Sequence, residues 1–504
     1  MWIIDGLKRL KDSDIPAIVE RTGTLSFKEI WNRSECVGQE ILEIEKDTGE
    51  KTPVVIYGDK DPDMVAVMLA ALKTGRAYIP VDVSFPVERL EYISKTVNAS
   101  VIYNFSGHNI EVPFEVRNGI FNAVSKYDGA DEISDELYVK KEDICYILFT
   151  SGSTGLPKGV PITRNNLENF VDWFTDEIKP EKYGQNVLIQ TSYSFDASVE
   201  ILYVYLTYGK TLVCVDKGLT KDIGALIEWI SENKIAIWSS TPSFFEMCAQ
   251  HNEFNGKTMP SMKLFIAGGE VLTKKTAKYL IDSFPEAILY NSYGPTEATV
   301  EVSACPITEE MFESEFSLPI GRIMPEAKAS IVGEDGSICK DGEVGELVVV
   351  SRSVASGYYK DPVKTAKAFF KAEDGRMGFK TGDLCFIKNG YLYFAGRKDF
   401  QVKLHGYRVE IDDISNNLDK ISLVKKNVVI PVYDGDGKVD YLAAFIVVDK
   451  DNDFGSPLKN LIAVKKELSG YVPSYMVPRK IVFVDEMPLN NNGKADRKEL
   501  LKLL

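Results

Sequence analysis

The chain has 504 residues, 44% hydrophobic and 26% charged, which is too long for one ordinary core and excludes a fibre or a disordered segment. Its formal charge of −15 argues against nucleic acid as a general partner, and three scattered histidines argue against a catalytic zinc site. A cytoplasmic protein is expected: seven cysteines lack a C-x-x-C pair, the longest apolar run ("MVAVMLAAL", 64–72) is far short of a bilayer span, and "MWIIDGLKRL" lacks a secretory pattern.

Along the chain, "PVVIY" (53–57) reads as a buried strand. "DPDMVAVMLAALKTG" follows as a helix, with Asp61 as N-cap, Pro62 in the first turn and Gly75 closing it. "AYIPVD" returns as a strand. The alternation continues through "SVIYNF", "ICYILFT", "TLVCVD", "GALIEWISENK", "IAIWSS", "SFFEMCAQ" and "KLFIAGG". Strand and helix in turn predict α/β layers with largely parallel sheets. From about 318 short strands separated by Gly, Asn and Asp turns ("EDG", "KNG") predict an antiparallel β subdomain. After "GRKDF" come the strands "VVIPVY" and "LAAFIVVD" and a helix "PLKNLIAVKKELSG" ending at Gly470, a smaller α+β piece. From Asp399 onward 16 acidic residues match 16 basic ones, so the first 398 residues carry the whole charge excess. The expected organisation is a large α/β domain over 1–398, with its β subdomain at about 318–398, and a small mobile domain over 399–504.

"YILFTSGSTGLPKGV" (146–160) is almost all glycine and hydroxyls around one cation, Lys158. Successive backbone N–H groups in such a loop form a concave anion site, and the lysine adds a point charge for phosphate. It is not a Walker A loop, because Pro157 stands where that pattern needs Gly and Gly159 where it needs Ser or Thr.

"SGSTGLPKG" resembles the phosphate loop of the adenylate-forming enzymes, which include acyl-CoA synthetases, luciferases and nonribosomal adenylation domains. "NSYGPTEAT" (291–299), "FKTGDL" (379–384), "GRKDFQVKLHGYRVE" and "NGKADRKEL" (492–500) resemble the rest of that pattern in the same order. "ALKTGRAYIPVD", "STPSFFEMC" and "QVKLHGYRVE" are more similar to the D-alanine–D-alanyl carrier protein ligases than to acyl-CoA synthetases.

The resemblance implies two half-reactions: a carboxylate attacks the α-phosphate of ATP, releasing pyrophosphate, and a thiol then takes the acyl group from the adenylate. Charge builds on phosphorus, so placed cations and N–H donors matter more than proton transfer. It further implies that Thr150, Ser151, Ser153, Thr154 and Lys158 line the β- and γ-phosphates. Tyr293 would stack on adenine, Thr296 would reach the α-phosphate, and Glu297 would hold Mg²⁺. Asp383 would take the ribose hydroxyls, with Arg397 beside it. Gly269, Glu270, Asn291 and Gly294 complete the nucleotide site. Lys494 would bridge carboxylate and α-phosphate, and Asp399 would be the hinge on which its domain turns. His405 is expected to be positional rather than catalytic. The chain stops at Leu504 with no carrier segment after it, so a separate phosphopantetheinylated carrier protein is the expected partner, before coenzyme A.

Asp196 in "SFDASVE" matches the aspartate that pairs with a substrate α-ammonium, which disfavours fatty and aryl acids. The pocket positions carry over as Asp196, Ala197, Glu200, Ser239, Ile266, Gly268, Ser292, Val300, Glu301 and Lys494. The D-alanine enzymes have a cysteine at the place of Gly268 and apolar residues at the places of Glu200 and Glu301. The string resembles those of nonribosomal domains that take lysine. The sequence reading therefore expects a basic amino acid, lysine before ornithine, with D-alanine as the alternative and a non-catalytic nucleotide-binding homologue behind both.

Overall fold

The computed structural model describes residues 2–151, 156–398, 401–404, 406–435, 438–488 and 495–504. The chain divides into two compact units. One comprises Met1–Asp82, Ser94–Leu148 and Gly159–Lys398, the other Val83–Ile93, Phe149–Lys158 and Asp399–Leu504.

In the larger unit a nine-stranded sheet has the spatial order Arg322–Ile323, Ser303–Pro306, Ile288–Tyr293, Leu264–Ala267, Ile235–Ser240, Asn186–Ile189, Thr211–Cys214, Pro16–Glu20 and Gly23–Ser26. Its middle strands run parallel and its ends antiparallel. A six-stranded sheet includes Val54–Gly58, Tyr78–Asp82 and Val101–Asn104, paired parallel as the alternation of runs predicts. Between the first two of these strands lies the helix Pro62–Lys73, its N-terminus capped by the Asp61 carboxylate on the Asp63 N–H at 2.9 Å. The long helix Phe27–Thr48, which the sequence reading did not single out, starts with a reciprocal capping box between Ser26 and Glu29.

The period-two alternation of strands gives the nine-stranded sheet two different faces. Leu188, Trp238, Phe265 and Leu289 pack one core, where the Trp238 ring meets Phe245 with centroids 5.2 Å apart. Ile237, Leu264, Ile266 and Tyr290 face the other way into a larger core. Ser239, Gly268 and Ser292 continue the second face as the strands reach their C-terminal ends, where open α/β sheets bind ligands.

Lys73 is a fully buried lysine. Its ammonium is 2.6 Å from Glu35, 2.7 Å from the Ser34 hydroxyl and 3.2 Å above the Trp31 ring centre. The second Glu35 oxygen accepts the Ile133 N–H at 2.7 Å. Burial pulls the Lys73 ammonium down to about 8, against the Glu35 carboxylate beside it.

The β subdomain is a five-stranded antiparallel sheet over Lys328–Val332, Gly345–Ser351, Phe369–Lys371, Met377–Lys388 and Tyr391–Arg397. Its "KNG" hairpin turns on Asn389 and Gly390, both with φ in the left-handed region, as a two-residue type I′ turn requires. In the smaller unit a hairpin, Gln401–Leu404 with Tyr407–Glu410, precedes a three-stranded sheet of Val424–Tyr433, Val439–Val448 and Lys480–Phe483. The helices Ile411–Leu418 and Pro457–Leu468 contribute Ile414, Leu418, Val464 and Leu468 to its core.

Candidate active site

The strand Ile288–Tyr293 returns antiparallel to Ser303–Pro306, and the connection between them carries the "GPTEAT" motif. The chain crosses itself there. A Cβ on Gly294 would stand 2.3 Å from the Val300 carbonyl oxygen and from the Glu301 Cα, so only glycine fits. Thr299 and Val300 both have φ in the left-handed region (59° and 67°), a costly geometry for β-branched residues. The Thr299 hydroxyl, donating to the Ser353 carbonyl at 2.6 Å, helps hold it. The short 3₁₀ turn Thr296–Ala298 sits in this loop. The Thr296 hydroxyl donates to Asp196, and the fully buried Glu297 accepts the Tyr358 hydroxyl at 2.8 Å.

Asp383, on the long strand Met377–Lys388, accepts the Tyr293 hydroxyl and pairs with Arg397. Burial, then the Asp383 charge, pushes the Tyr293 hydroxyl well above its usual range, so it stays a donor. Three residues assigned to the nucleoside are thus joined in one bonded set. Asn291 donates to the Pro319 carbonyl at 2.7 Å while its own Oδ1 is buried without a donor. Gly269 takes a positive φ, and Glu270 accepts the Ser243 N–H at 3.1 Å, near the start of the helix Pro242–Cys248.

Asp196 and Ala197 are half-buried at the start of a helix that widens, directly after Glu200, into a π-helical turn over Ile201–Tyr205. The Tyr205 hydroxyl, five residues on, reaches back to Glu200 at 3.4 Å. No sequence signal marks this turn, although such turns gather at functional sites. Glu200 also accepts the Ser239 hydroxyl at 3.0 Å, and Glu301 accepts the Ser292 hydroxyl. Ile266 and Val300 are buried. A Cβ on Gly268 would stand 2.8 Å from Ser292 Oγ and 3.3 Å from Glu301 Oε1.

In the smaller unit, Thr150 Oγ1 is buried without a hydrogen-bond partner. Ser151 donates to the Arg408 carbonyl at 3.1 Å and accepts the Glu410 N–H at 3.3 Å, and the Lys158 ammonium is 3.7 Å from Glu410. Ser153, Thr154, Asp399, His405 and Lys494 lie outside the described residues.

Residues 9–359 match the model of the family described as AMP-binding enzyme, and residues 414–494 match that of the AMP-binding enzyme C-terminal domain. A D-alanine–D-alanyl carrier protein ligase of Listeria welshimeri is 42% identical over 500 residues, covering 97% of this chain and 96% of the relative. The protein of the same name from Bacillus licheniformis is 38% identical, with 99% of each chain covered. Among solved structures, the fold matches an adenylation domain of Vibrio cholerae in complex with glycyl-adenosine-5′-phosphate. The TM-score is 0.82 at 21% identity, covering 99% of this chain and 96% of that one.

Proposed function

The chain belongs to the AMP-binding enzyme family, and from that premise we propose that it is an amino acid–carrier protein ligase. ATP and an amino acid give aminoacyl-adenylate and pyrophosphate. The acyl group then passes to the phosphopantetheine thiol of a separate carrier protein, releasing AMP. The observation that carries this reading is Asp196 beside Thr296: an acceptor for the substrate ammonium lies next to a hydroxyl donor for the α-phosphate. Asp383, with Tyr293 and Arg397 already on its oxygens, suits the ribose hydroxyls.

Among the described residues no group of three or more His, Cys, Asp or Glu side chains could hold a metal ion. A single buried carboxylate, Glu297, fits Mg²⁺, which keeps its waters and phosphate oxygens in preference to a protein cage. Bound there, Mg²⁺ would supply positive charge at the phosphates. The described residues contain no helix long and apolar enough to cross a membrane.

Whole-chain likeness to relatives named for D-alanine supports D-alanine as the substrate, and gives lysine no support. A second reading, a basic amino acid, is favoured by one observation: the buried Glu200 and Glu301. ATP–pyrophosphate exchange with each amino acid tests the activity. Exchange with none of them would reject it. The partner has its own test. A carrier protein bearing phosphopantetheine should become an aminoacyl thioester while the apo-carrier stays unloaded, as read by intact-protein mass spectrometry. Equal loading of free coenzyme A would overturn the carrier assignment. Since residues 399–504 balance in charge, loading should fall only modestly between low and physiological salt.

A further inference from the structure

A cavity of about 350 Å³ lies in the larger unit, at the outer edge of the six-stranded sheet. It runs beside the edge strand Glu115–Asn118 and the helices Phe27–Thr48 and Phe121–Tyr127. Glu40, Arg117, Asn118 and Asn122 line it, with Val116 and Ala123 as its apolar walls. None of these residues is assigned to the nucleotide, the amino acid or Mg²⁺. Buried neighbours hold the polar groups from behind. Tyr103, fully buried on the adjoining strand, donates its hydroxyl to Glu40 Oε2 at 2.7 Å. Burial, then the Glu40 charge, pushes that hydroxyl well above its usual range, so it stays a donor. Arg117, the register partner of Tyr103, donates from Nε to Glu40 Oε1 at 3.2 Å and pairs through Nη2 with Glu115 at 2.5 Å. The buried Asn104 donates to Asn118 Oδ1 at 2.7 Å.

The bonding capacity left over defines what the cavity can take. Each oxygen of Glu40, a residue only 9% exposed, accepts one hydrogen bond and keeps a lone pair for another. Among the described residues Arg117 Nη1, the Asn118 amide N–H groups and the Asn122 carboxamide bond to no protein group. Open donors and acceptors therefore share one small space, and most are fixed before anything binds. Charge narrows the choice further. An anion would face Glu40 and Glu115, and a cation placed on Glu40 would face Arg117, which already holds that carboxylate. Either like-charge approach costs binding. An apolar molecule would strand the same polar groups. A hydroxyl suits all of them, because one atom both donates and accepts.

We propose that this cavity is a binding site for a small neutral polyhydroxylated molecule, a sugar or an alditol, separate from the adenylating site. Its hydroxyls donate to Glu40 and accept from Arg117 Nη1, Asn118 and Asn122. The volume falls within the range of small-molecule sites, which begins at about 300 Å³. The site is independent of amino-acid activation, and neither one requires the other.

Four probes on the full chain test this, with saturating ATP present to occupy the active site: sorbitol, its cationic analogue N-methylglucamine, its anionic analogue gluconate, and glucose. Saturation-transfer NMR should show saturable binding of sorbitol or glucose, and the tighter of the two tells an open chain from a ring. Both charged analogues should bind at least about tenfold more weakly than sorbitol or glucose. The thermal unfolding midpoint should rise with the bound probe along the same saturation curve, as linkage to one site requires. Exclusion of a polyol from the protein surface instead gives a rise with no saturable part, the same in every variant. Asn122→Trp, at an exposed position on the cavity wall, should remove the saturable binding and leave the unfolding midpoint without probe unchanged. Saturable binding that persists in Asn122→Trp would place the probe elsewhere and overturn the site. So would tighter binding of either charged analogue, or no saturable binding of sorbitol or glucose to the wild-type chain.

Discussion

Replacing Lys494 with alanine should lower ATP–pyrophosphate exchange by about 100-fold or more, the effect of removing one preorganised donor from a developing charge. Transfer from supplied aminoacyl-adenylate to the carrier should be nearly unchanged. The assignment comes from "NGKADRKEL", in which Lys494 is the last residue of the C-terminal domain match. Attack of a carboxylate on a phosphate brings two anions together, and a lysine between them offsets charge that is greatest in the transition state. The second half-reaction has no such approach of anions, because a thiol attacks a carbonyl. Measuring the two half-reactions separately decides the matter. Equal losses in both would overturn the assignment of Lys494 to the first step alone, and with it the domain rotation that carries it away.

Asp383→Ala should be damaging twice over. In the folded chain it strips Arg397 of its carboxylate and the Tyr293 hydroxyl of its acceptor, both at buried or nearly buried positions. Leaving one partner of a buried pair uncompensated costs about 3–5 kcal/mol, so the midpoint of urea unfolding should fall clearly. In the enzyme it removes the acceptor proposed for the ribose hydroxyls, and the KM for ATP should rise by at least about tenfold. Arg397→Gln provides the contrast. It also strands a buried charge, so stability should fall too, but it keeps the proposed ribose acceptor, so the KM for ATP should rise less. An unfolding midpoint unchanged in Asp383→Ala would mean that the Asp383–Arg397 pair contributes nothing to the fold.

The parts of the fold that were legible in the sequence are those governed by near neighbours. Asp61, Pro62 and Gly75 framed their helix because capping is local, and Asn389–Gly390 announced a hairpin because few other residues accept two left-handed conformations. Sheet order was not legible. The strand Pro16–Glu20 pairs with Thr211–Cys214, nearly two hundred residues away, and no short window encodes that. The site divides in the same way. Tyr293, Asp383 and Arg397 could be named from motifs, and Asp383 and Arg397 oppose each other across one hairpin, yet the bond from Tyr293 to Asp383 depends on packing between separate sheets. Tyr358 was missed as the partner of Glu297, as was Tyr205 as the partner of Glu200. A tyrosine in an apolar run carries no mark of where its hydroxyl will end.

The Lys73–Glu35 pair bears on how this chain can change over generations. A single substitution at either position strands the other charge, at a buried site, beside Trp31. Replacing both with apolar residues of similar volume would be neutral or better for stability, because well-packed hydrophobic side chains often match a buried ion pair. The two ends of that path are viable and the middle is not. Related chains should therefore carry both charges or neither, and a homologue with a lysine at the one place and an apolar residue at the other should be rare.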